Sequence, residues 1–239
     1  MSQKPLVSIM TGNSNSGSAC IQEIFERYSD KLRVRGVFRT KEKAQPFVHK
    51  YPKMEIVSGV DATQPDTLRV AFDGADSALI VTPHDPTRDN LNEANDQDAR
   101  LTANMINAAV SCGVKYIVLV ASFTVHYREQ MPIIAGRFWP SEDLLEKLGA
   151  EKGLKFTVLR GGNFMENQLP GLKRTLKNQS AIMMPNLFCA MVDTADIGKS
   201  AAACLAVNGE GHHRKYYEMT GPEIQGGEDL ARVLTKVFG

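Results

Sequence analysis

Small polar residues follow the first apolar segment of the chain. Residues 6–10 are apolar except for Ser8, the next are Thr, Gly, Asn and Ser, and an apolar pattern resumes at Cys20. This order predicts a short strand, a tight loop and a helix, which direct several backbone N–H groups and the positive helix end at one point. Phosphate binds at such a point, and in doubly wound folds a dinucleotide places its pyrophosphate there. We therefore predict dinucleotide contacts from Thr11, Gly12, Asn13, Ser14, Asn15 and Ser16.

This loop departs from the glycine-rich fingerprint of such sites. In that fingerprint the first glycine forms the turn, the second lets the backbone approach the pyrophosphate, and the third lets the helix pack closely. Gly12 fills the first position, and Asn15, which tolerates positive φ, fills the second. Ser18, a small residue, fills the third. The alternative interpretation is a Ser- and Asn-rich turn that only caps a helix.

Arg39 indicates which dinucleotide fits. It directly follows the second predicted strand, where an acidic residue would hydrogen-bond the ribose of NAD(H). Arginine, with Lys41 nearby, instead suits the 2′-phosphate of NADP(H). The sequence therefore favours NADP(H) as the cofactor and leaves NAD(H) open. The alternative is that Arg39 is an ordinary solvated surface residue.

Three further residues lie at the ends of predicted strands. Asp61 follows the third strand, and Thr82 and Pro83 follow the fourth. In a parallel sheet these ends face one edge, along which the adenine and the nicotinamide ribose of a dinucleotide would run. We predict that all three residues bind the cofactor, although the same residue types also occur in ordinary turns.

Composition narrows the class of protein. The 239 residues are 43% hydrophobic and 23% charged, enough for the core of one globular domain. The net charge is +1 and the basic residues form no stripe, which predicts no nucleic-acid partner. The absence of a membrane-spanning apolar run and of a signal peptide predicts a cytoplasmic protein without membrane association. The four cysteines lack the spacing of a metal site or a disulfide framework, so we predict no metal.

Two kinds of apolar segment alternate along most of the chain, which predicts an α/β fold of the Rossmann type. The predicted strands are 6–10, 32–38, 54–58, 77–81, 116–121 and 156–160. The predicted helices are 17–27, 41–50, 64–72, 97–111 and 141–152. These elements fit a doubly wound parallel sheet of order 3-2-1-4-5-6. Residues 1–160 are predicted to form an NAD(P)-binding core, and residues 161–239 a small C-terminal lobe on the carboxyl ends of the strands, within one overall domain.

Several of these segments resemble the NmrA-like family of atypical short-chain dehydrogenases/reductases. Residues 11–18 resemble the family's TGATGxxG loop, residues 34–39 its second strand ending in Arg, and residues 61–68 its GDxxDPxSL segment. Residues 153–167 are similar to its SGLPYTxLRPGxFMEN segment. The resemblance spans nearly the whole chain. It implies NAD(P)(H) binding, with NADP(H) preferred because of Arg39, and a shortened C-terminal lobe, because the family pattern continues past the last predicted helix.

The resemblance leaves two functions open. The family contains reductases of quinones, dyes and other small electrophiles, and also members that bind the dinucleotide without turnover and regulate other proteins. It therefore implies either an NADPH-dependent reductase of a small-molecule electrophile, quinone-like or otherwise, or a non-catalytic redox sensor with a regulatory protein partner. Either a monomer or a homodimer is compatible with it.

The candidate residues for chemistry differ from those of standard short-chain dehydrogenases. No tyrosine is followed four positions later by the lysine that lowers its pKa in those enzymes. Glu142 stands where many NmrA-like proteins carry a lysine. Ser122, after the fifth strand, is the single catalytic candidate because its hydroxyl would hydrogen-bond a carbonyl substrate, with strand-end capping as the alternative. Together with Ser122, Asn163 and Phe164 are predicted to line a pocket for a flat apolar substrate.

Overall fold

Seven parallel strands form a single sheet in the computed structural model of the chain, which describes residues 3–83, 91–168 and 188–238. The strands are β1 (Leu6–Ile9), β2 (Arg33–Phe38), β3 (Glu55–Ser58), β4 (Ser77–Val81), β5 (Tyr116–Ser122), β6 (Lys155–Gly161) and β7 (Lys215–Met219). Their order in the sheet is β3-β2-β1-β4-β5-β6-β7. The order reverses direction between β1 and β4, which creates a crevice at the carboxyl ends of these strands.

Helices connect the strands and cover both faces of the sheet. They are α1 (Asn15–Glu23), α2 (Lys41–Lys50), α3 (Arg69–Phe72), α4 (Leu91–Ser111), α5 (Pro132–Ala135), α6 (Trp139–Lys152), α7 (Thr194–Ala206) and α8 (Gly227–Phe238). A π-helical turn over Ile24–Tyr28 continues α1, and 3₁₀ turns occupy Pro65–Leu68, Phe123–Tyr127 and Met165–Gln168. Within the described ranges, no helix is both long and apolar enough to cross a membrane.

Apolar layers on both faces bury the centre of the sheet. Strand β5 is covered on both sides, and its residues from Tyr116 to Ala121 form a continuous buried run before the strand ends at Ser122. On one face, α7 approaches α1 closely at Gly198, where an added Cβ would lie 2.4 Å from the Cβ of Ala19. Glycine at this position therefore fixes the placement of α1, which begins at the predicted phosphate-binding loop.

The sequence predicts most of this sheet. The order 3-2-1-4-5-6 is confirmed, and β7 extends it beside β6. The sequence analysis missed β7 because Lys215–Met219 is an edge strand without a continuous apolar run, and its two tyrosines are only partly buried. The helix predicted over 64–72 is wrong in type, since a 3₁₀ turn occupies its first half. Only the single turn of α3 remains before the chain bends at Gly74, which has φ 67°.

Part of the chain after residue 160 belongs to the same sheet. Strand β7 pairs with β6, and α7 packs on α1 and against β5 and β6. The predicted division into residues 1–160 and 161–239 stays a prediction, because residues 169–187 lie outside the described part of the chain.

Candidate functional site

An open cleft of about 440 Å³ lies where strands β1 to β4 end. Open α/β sheets bind ligands at this edge, beside the reversal of strand order. Nine of the ten residues predicted to bind a cofactor line the cleft: Thr11, Asn13, Ser14, Asn15, Ser16, Arg39, Asp61, Thr82 and Pro83. The tenth, Gly12, is buried in the turn after β1, where its N–H donates to the carbonyl of Val37 at 2.9 Å.

The loop after β1 presents the N-terminus of α1 to the cleft. Ser14 is the N-cap residue, and its hydroxyl accepts a hydrogen bond from the N–H of Gly17 at 3.0 Å. The first-turn N–H groups of Asn15 and Ser16 have no acceptor within the helix, which is the arrangement that binds anions. Thr11 enters the loop with φ 53°, a left-handed conformation that β-branched residues rarely adopt and that is concentrated at functional sites.

Two details of this loop correct the sequence analysis. Asn15 does not use its tolerance of positive φ, because it is the first residue of α1, and the positive φ falls on Thr11. The close approach of helix and turn, predicted at Ser18, occurs at Gly17, where a Cβ would lie 2.7 Å from the carbonyl oxygen of Thr11. Ser18 instead donates a hydrogen bond to the carbonyl of Gly12 at 3.1 Å. The loop therefore keeps a glycine where contact is tightest, one residue before the predicted position.

Gly17→Ala is expected to destabilise the protein, because the added methyl group meets backbone rather than a movable side chain. Overpacking of this kind costs about 1–3 kcal/mol. The melting temperature, measured by circular dichroism, should fall by about 2–4 °C for each kcal/mol lost. Ser18→Ala is the matched control, since it removes one hydrogen bond and adds no atom. An unchanged melting temperature for Gly17→Ala would show that the loop and α1 are not in close contact.

Arg39 and Asp61 form an ion pair at one end of the cleft. The Nη2 atom of Arg39 lies 2.9 Å from Oδ2 of Asp61, and the arginine side chain is 64% exposed. The other carboxylate oxygen of Asp61 accepts hydrogen bonds from the N–H and the hydroxyl of Thr63. Burial opposes ionisation of Asp61, but the hydrogen bonds from Thr63 and the charge of Arg39 outweigh it and lower its pKa. Arg39 is therefore held at the cleft while most of its surface faces solvent.

A second cation, Lys43, also lines the cleft. The sequence analysis expected Lys41 to be the nearby cation, but Lys41 is not among the lining residues. Thr40 caps α2 by accepting a hydrogen bond from the N–H of Lys43 at 3.4 Å. Lys43 therefore lies in the first turn of α2, just after Arg39 in the sequence, and both residues line the cleft. Which lysine of this turn reaches the cleft depends on where the helix begins, which the sequence analysis did not consider.

The other end of the cleft is more apolar. The buried hydroxyl of Thr82 there donates to the carbonyl of Val120 at 3.3 Å. Phe164, a predicted pocket residue, lines the cleft. The cleft is also lined by Leu101, Met105, Asn167 and Thr194, which the sequence analysis did not single out. They come from α4, from the turn after β6 and from the start of α7, so only the tertiary fold brings them together.

Ser122 and Asn163 are not among the residues that line the cleft. The hydroxyl of Ser122 accepts hydrogen bonds from the N–H and the hydroxyl of Thr124 at 3.3 and 3.1 Å, and so caps a 3₁₀ turn. The side-chain amide of Asn163 donates a hydrogen bond to the sulfur of Cys189 at 3.6 Å. The backbone carbonyl of Asn163 accepts a hydrogen bond from the N–H of Val192. Each residue therefore has a structural partner, and their parts in catalysis and substrate binding stay predictions.

Glu142 forms a buried ion pair with Arg160. Two hydrogen bonds join them, at 2.7 and 3.1 Å, and only 8% of the Glu142 side chain and 15% of the Arg160 side chain are exposed. Burial raises the pKa of Glu142 against the opposing effect of Arg160. Arg160 also lies 3.1 Å from Glu218, which in turn lies 2.7 Å from Nε2 of His126. Glu142, which stands at the family's lysine position, thus links α6 to β6 through Arg160. Arg160 in turn contacts Glu218 on β7, and Glu218 contacts His126 in the turn after β5.

Metal ligation has no candidate site in the described part of the chain. No three His, Cys, Asp or Glu side chains come together there in a way that would hold a metal ion. All four cysteines are free, and two of them, Cys20 and Cys204, are buried. The polar groups that line the cleft instead suit an organic ligand with anionic groups.

Comparison with known proteins agrees with this site. The sequence profile of a family described as NAD(P)H-binding matches residues 12–207. NAD(P)H azoreductase of Xenophilus azovorans is 27% identical over 236 residues, which cover 98% of this chain and 74% of that protein. Quinone oxidoreductase 2 of Escherichia coli strain K12 is 31% identical over 138 residues, which cover 57% of this chain and 45% of that protein.

Solved structures share the fold. Triphenylmethane reductase of Citrobacter sp., complexed with NADP(H), has a TM-score of 0.77 at 22% identity, covering 98% of this chain and 76% of its own. NmrA, a negative transcriptional regulator, has a TM-score of 0.72 at 15% identity, covering 98% and 72%. The fold is thus the Rossmann-like fold of NmrA and the related reductases, as the resemblance implies. The chain belongs to the NAD(P)H-binding family.

Proposed function

We propose that this chain is an NADPH-dependent reductase of small electrophilic acceptors such as quinones. The observation that carries the proposal is the division of one cleft into a cationic end, with Arg39 and Lys43, and a more apolar end, with Leu101, Met105 and Phe164. Two cations suit a 2′-phosphate, and an apolar wall suits a flat ring. The names of the azoreductase and the quinone oxidoreductase support an acceptor of this kind.

The residues present fit NADP(H). Gly17 lets α1 approach the turn after β1, so that the helix N-terminus faces the cleft between its two ends. The N–H groups of Asn15 and Ser16 would bind the pyrophosphate, and Arg39 and Lys43 the 2′-phosphate. When bound, the nicotinamide supplies a hydride, which transfers two electrons to the acceptor.

The chain's own residues would position the reactants and exclude solvent from one side. Phe164 and Met105 would contact the flat acceptor, and Thr82, fixed by β5, would border the nicotinamide end. The sequence has no Tyr-x-x-x-Lys pair to donate a proton. We therefore assign the proton that completes the reduced acceptor to water. By composition the acceptor is a small molecule rather than a nucleic acid, and the place of action is the cytoplasm.

A second candidate function is a non-catalytic NADP(H) sensor that regulates a partner protein. One feature favours it: Ser122, the predicted catalytic residue, and Glu142, at the family's lysine position, already have hydrogen-bond or ion-pair partners within the chain. Ser122 caps a turn, and Glu142 is paired with Arg160. Such a protein would bind NADPH in the same cleft without turnover.

Steady-state oxidation of NADPH with a panel of quinones distinguishes the two functions. For a reductase we expect loss of nicotinamide absorbance that depends on acceptor concentration and is faster with NADPH than with NADH. NADPH binding without turnover on any quinone or azo acceptor would overturn the reductase and support the sensor. A chain that binds no NADPH would overturn both.

A further inference from the structure

Asp61 brings a negative charge to the cationic end of the cleft. Within the described part of the chain, three charged side chains line the cleft: Arg39, Lys43 and Asp61. The acid therefore offsets half of the positive charge that the two cations supply. A 2′-phosphate carries about −1.5 to −2 charges at neutral pH, whereas NADH has an uncharged hydroxyl at that position. The balance of these three side chains therefore affects NADPH and NADH differently.

The loop after β3 fixes the Asp61 carboxylate without help from Arg39. The backbone N–H of Asp61 donates to Oγ1 of Thr67 at 2.9 Å. Its Oδ1 accepts hydrogen bonds from the N–H and the hydroxyl of Thr63 at 2.9 and 2.8 Å, and only 21% of the side chain is exposed. Against the opposing effect of burial, the hydrogen bonds from Thr63 and the charge of Arg39 lower the pKa of Asp61, so its carboxylate is ionised at neutral pH. A ligand in the cleft therefore meets a fixed negative charge.

Arg39 is held much less firmly than Asp61. Its side chain is 64% exposed, and among the described residues one contact, from Nη2 to Oδ2 of Asp61 at 2.9 Å, holds its guanidinium. Exposed ion pairs with a single contact contribute little to stability and orient a side chain weakly. The other N–H groups of the guanidinium can donate to a phosphate, which would then lie well within the screening length of about 8 Å from the carboxylate. At that separation the carboxylate repels the phosphate more than it helps by orienting Arg39.

We propose that Asp61 is a specificity-determining residue that limits the preference for NADPH, so that the cleft also accepts NADH. This inference rests on the proposed binding of NADPH in the cleft. Arg39 and Lys43 attract the 2′-phosphate, and Asp61 cancels part of that attraction, with no such penalty for the uncharged 2′-hydroxyl of NADH. The chain should therefore discriminate between the two cofactors less strongly than its two cations alone would allow.

Binding of both cofactors to an Asp61→Asn variant tests the proposal. Asparagine keeps a side-chain oxygen for the hydrogen bonds from Thr63 and removes the charge. We expect the dissociation constant of NADH, divided by that of NADPH, to rise about three- to tenfold, because one charge near the phosphate is removed. A loss of contacts that the two cofactors share cancels in this ratio. A thermal melt verifies that the variant is folded.

Glu55→Gln is the matched control. Glu55 also pairs with an arginine across β2 and β3, with its Oε2 2.9 Å from Nη2 of Arg35, but it is not among the residues that line the cleft. Its replacement removes the same charge from the same side of the sheet and should leave the ratio of dissociation constants unchanged. An equal rise in both variants would mean that net charge, rather than the position of Asp61, sets the preference, and would overturn the proposal.

Ionic strength separates an effect of charge from an effect of orientation. Without the charge of Asp61 the phosphate meets a more positive site, so the affinity of Asp61→Asn for NADPH should fall more steeply with added salt than that of the unsubstituted chain. If Asp61 mainly orients Arg39, its replacement should instead lower the preference for NADPH. A lower or unchanged ratio, an equal salt dependence, or an unsubstituted chain that binds NADPH but no NADH would overturn the inference and leave the proposed function standing. A chain that binds no NADPH would overturn the proposed function itself.

Discussion

Arg39→Ala is expected to weaken NADPH binding by about 1.5–3 kcal/mol and to leave NADH binding nearly unchanged. This corresponds to a loss of affinity from about tenfold to somewhat above a hundredfold. The guanidinium of Arg39 lies exposed at the cleft and would make charged hydrogen bonds to the 2′-phosphate, a group that NADH lacks. Lys43 remains in the variant, so some preference for NADPH should persist.

Fluorescence titration with both cofactors measures this effect. Arg27→Ala is the matched control, because Arg27 is also an exposed arginine in an ion pair but does not line the cleft. Its affinity for each cofactor should equal that of the unsubstituted chain. If Arg39→Ala keeps the full preference for NADPH over NADH, Arg39 does not bind the 2′-phosphate.

Glu142→Ala is expected to have the largest effect on stability. Removing one partner of a buried ion pair costs about 3–5 kcal/mol, because the remaining charge stays buried without compensation. The loss should fall at the lower end of that range, since Arg160 keeps its contact with Glu218. Thermal unfolding followed by circular dichroism should show a melting temperature lower by roughly 6–12 °C.

Two further variants show whether the pair is the cause. The double replacement Glu142→Leu with Arg160→Met should recover much of the lost stability, because apolar residues of similar volume often replace a buried pair without net cost. Lys199→Ala breaks an exposed pair with Asp196 and should cost less than about 1 kcal/mol. A Glu142→Ala variant as stable as the Lys199→Ala control would contradict the structural role of Glu142.

The same pairing determines what a lysine would meet at position 142. The Glu142 side chain is directed at Arg160 and is almost fully buried. Restoring the lysine with Glu142→Lys would set two cations side by side in that interior. The substitution that looks closest to the family pattern is therefore expected to destabilise the fold.

Much of the fold and one end of the site could be predicted from the sequence because they depend on local patterns. Buried parallel strands have nearly continuous apolar runs, so β1 to β6 could be predicted from the sequence. The residues that follow such strands lie at the edge of the sheet where the cleft is. Arg39 and Asp61 were found in this way. The edge strand β7 was missed because one of its faces needs no apolar residues.

The other end of the site was predicted only in part, through Thr82, Pro83 and Phe164, because its remaining residues depend on tertiary contacts. Thr194 and Leu101 reach the cleft from helices that are distant from the strand ends in the sequence. The close contact at Gly17 depends on the distance between α1 and the carbonyl oxygen of Thr11. The order of residue types in the sequence does not give that distance. The pairing of Glu142 with Arg160 likewise joins residues 18 positions apart on α6 and β6.

Titration of the chain with NADPH, followed by nicotinamide fluorescence, tests most directly the claim that this cleft binds the cofactor. We expect a saturable change at sub-millimolar NADPH, reversed by an excess of NADP⁺ and shifted to higher concentration in Arg39→Ala. No change at sub-millimolar NADPH would contradict the assignment of the cleft and, with it, both proposed functions.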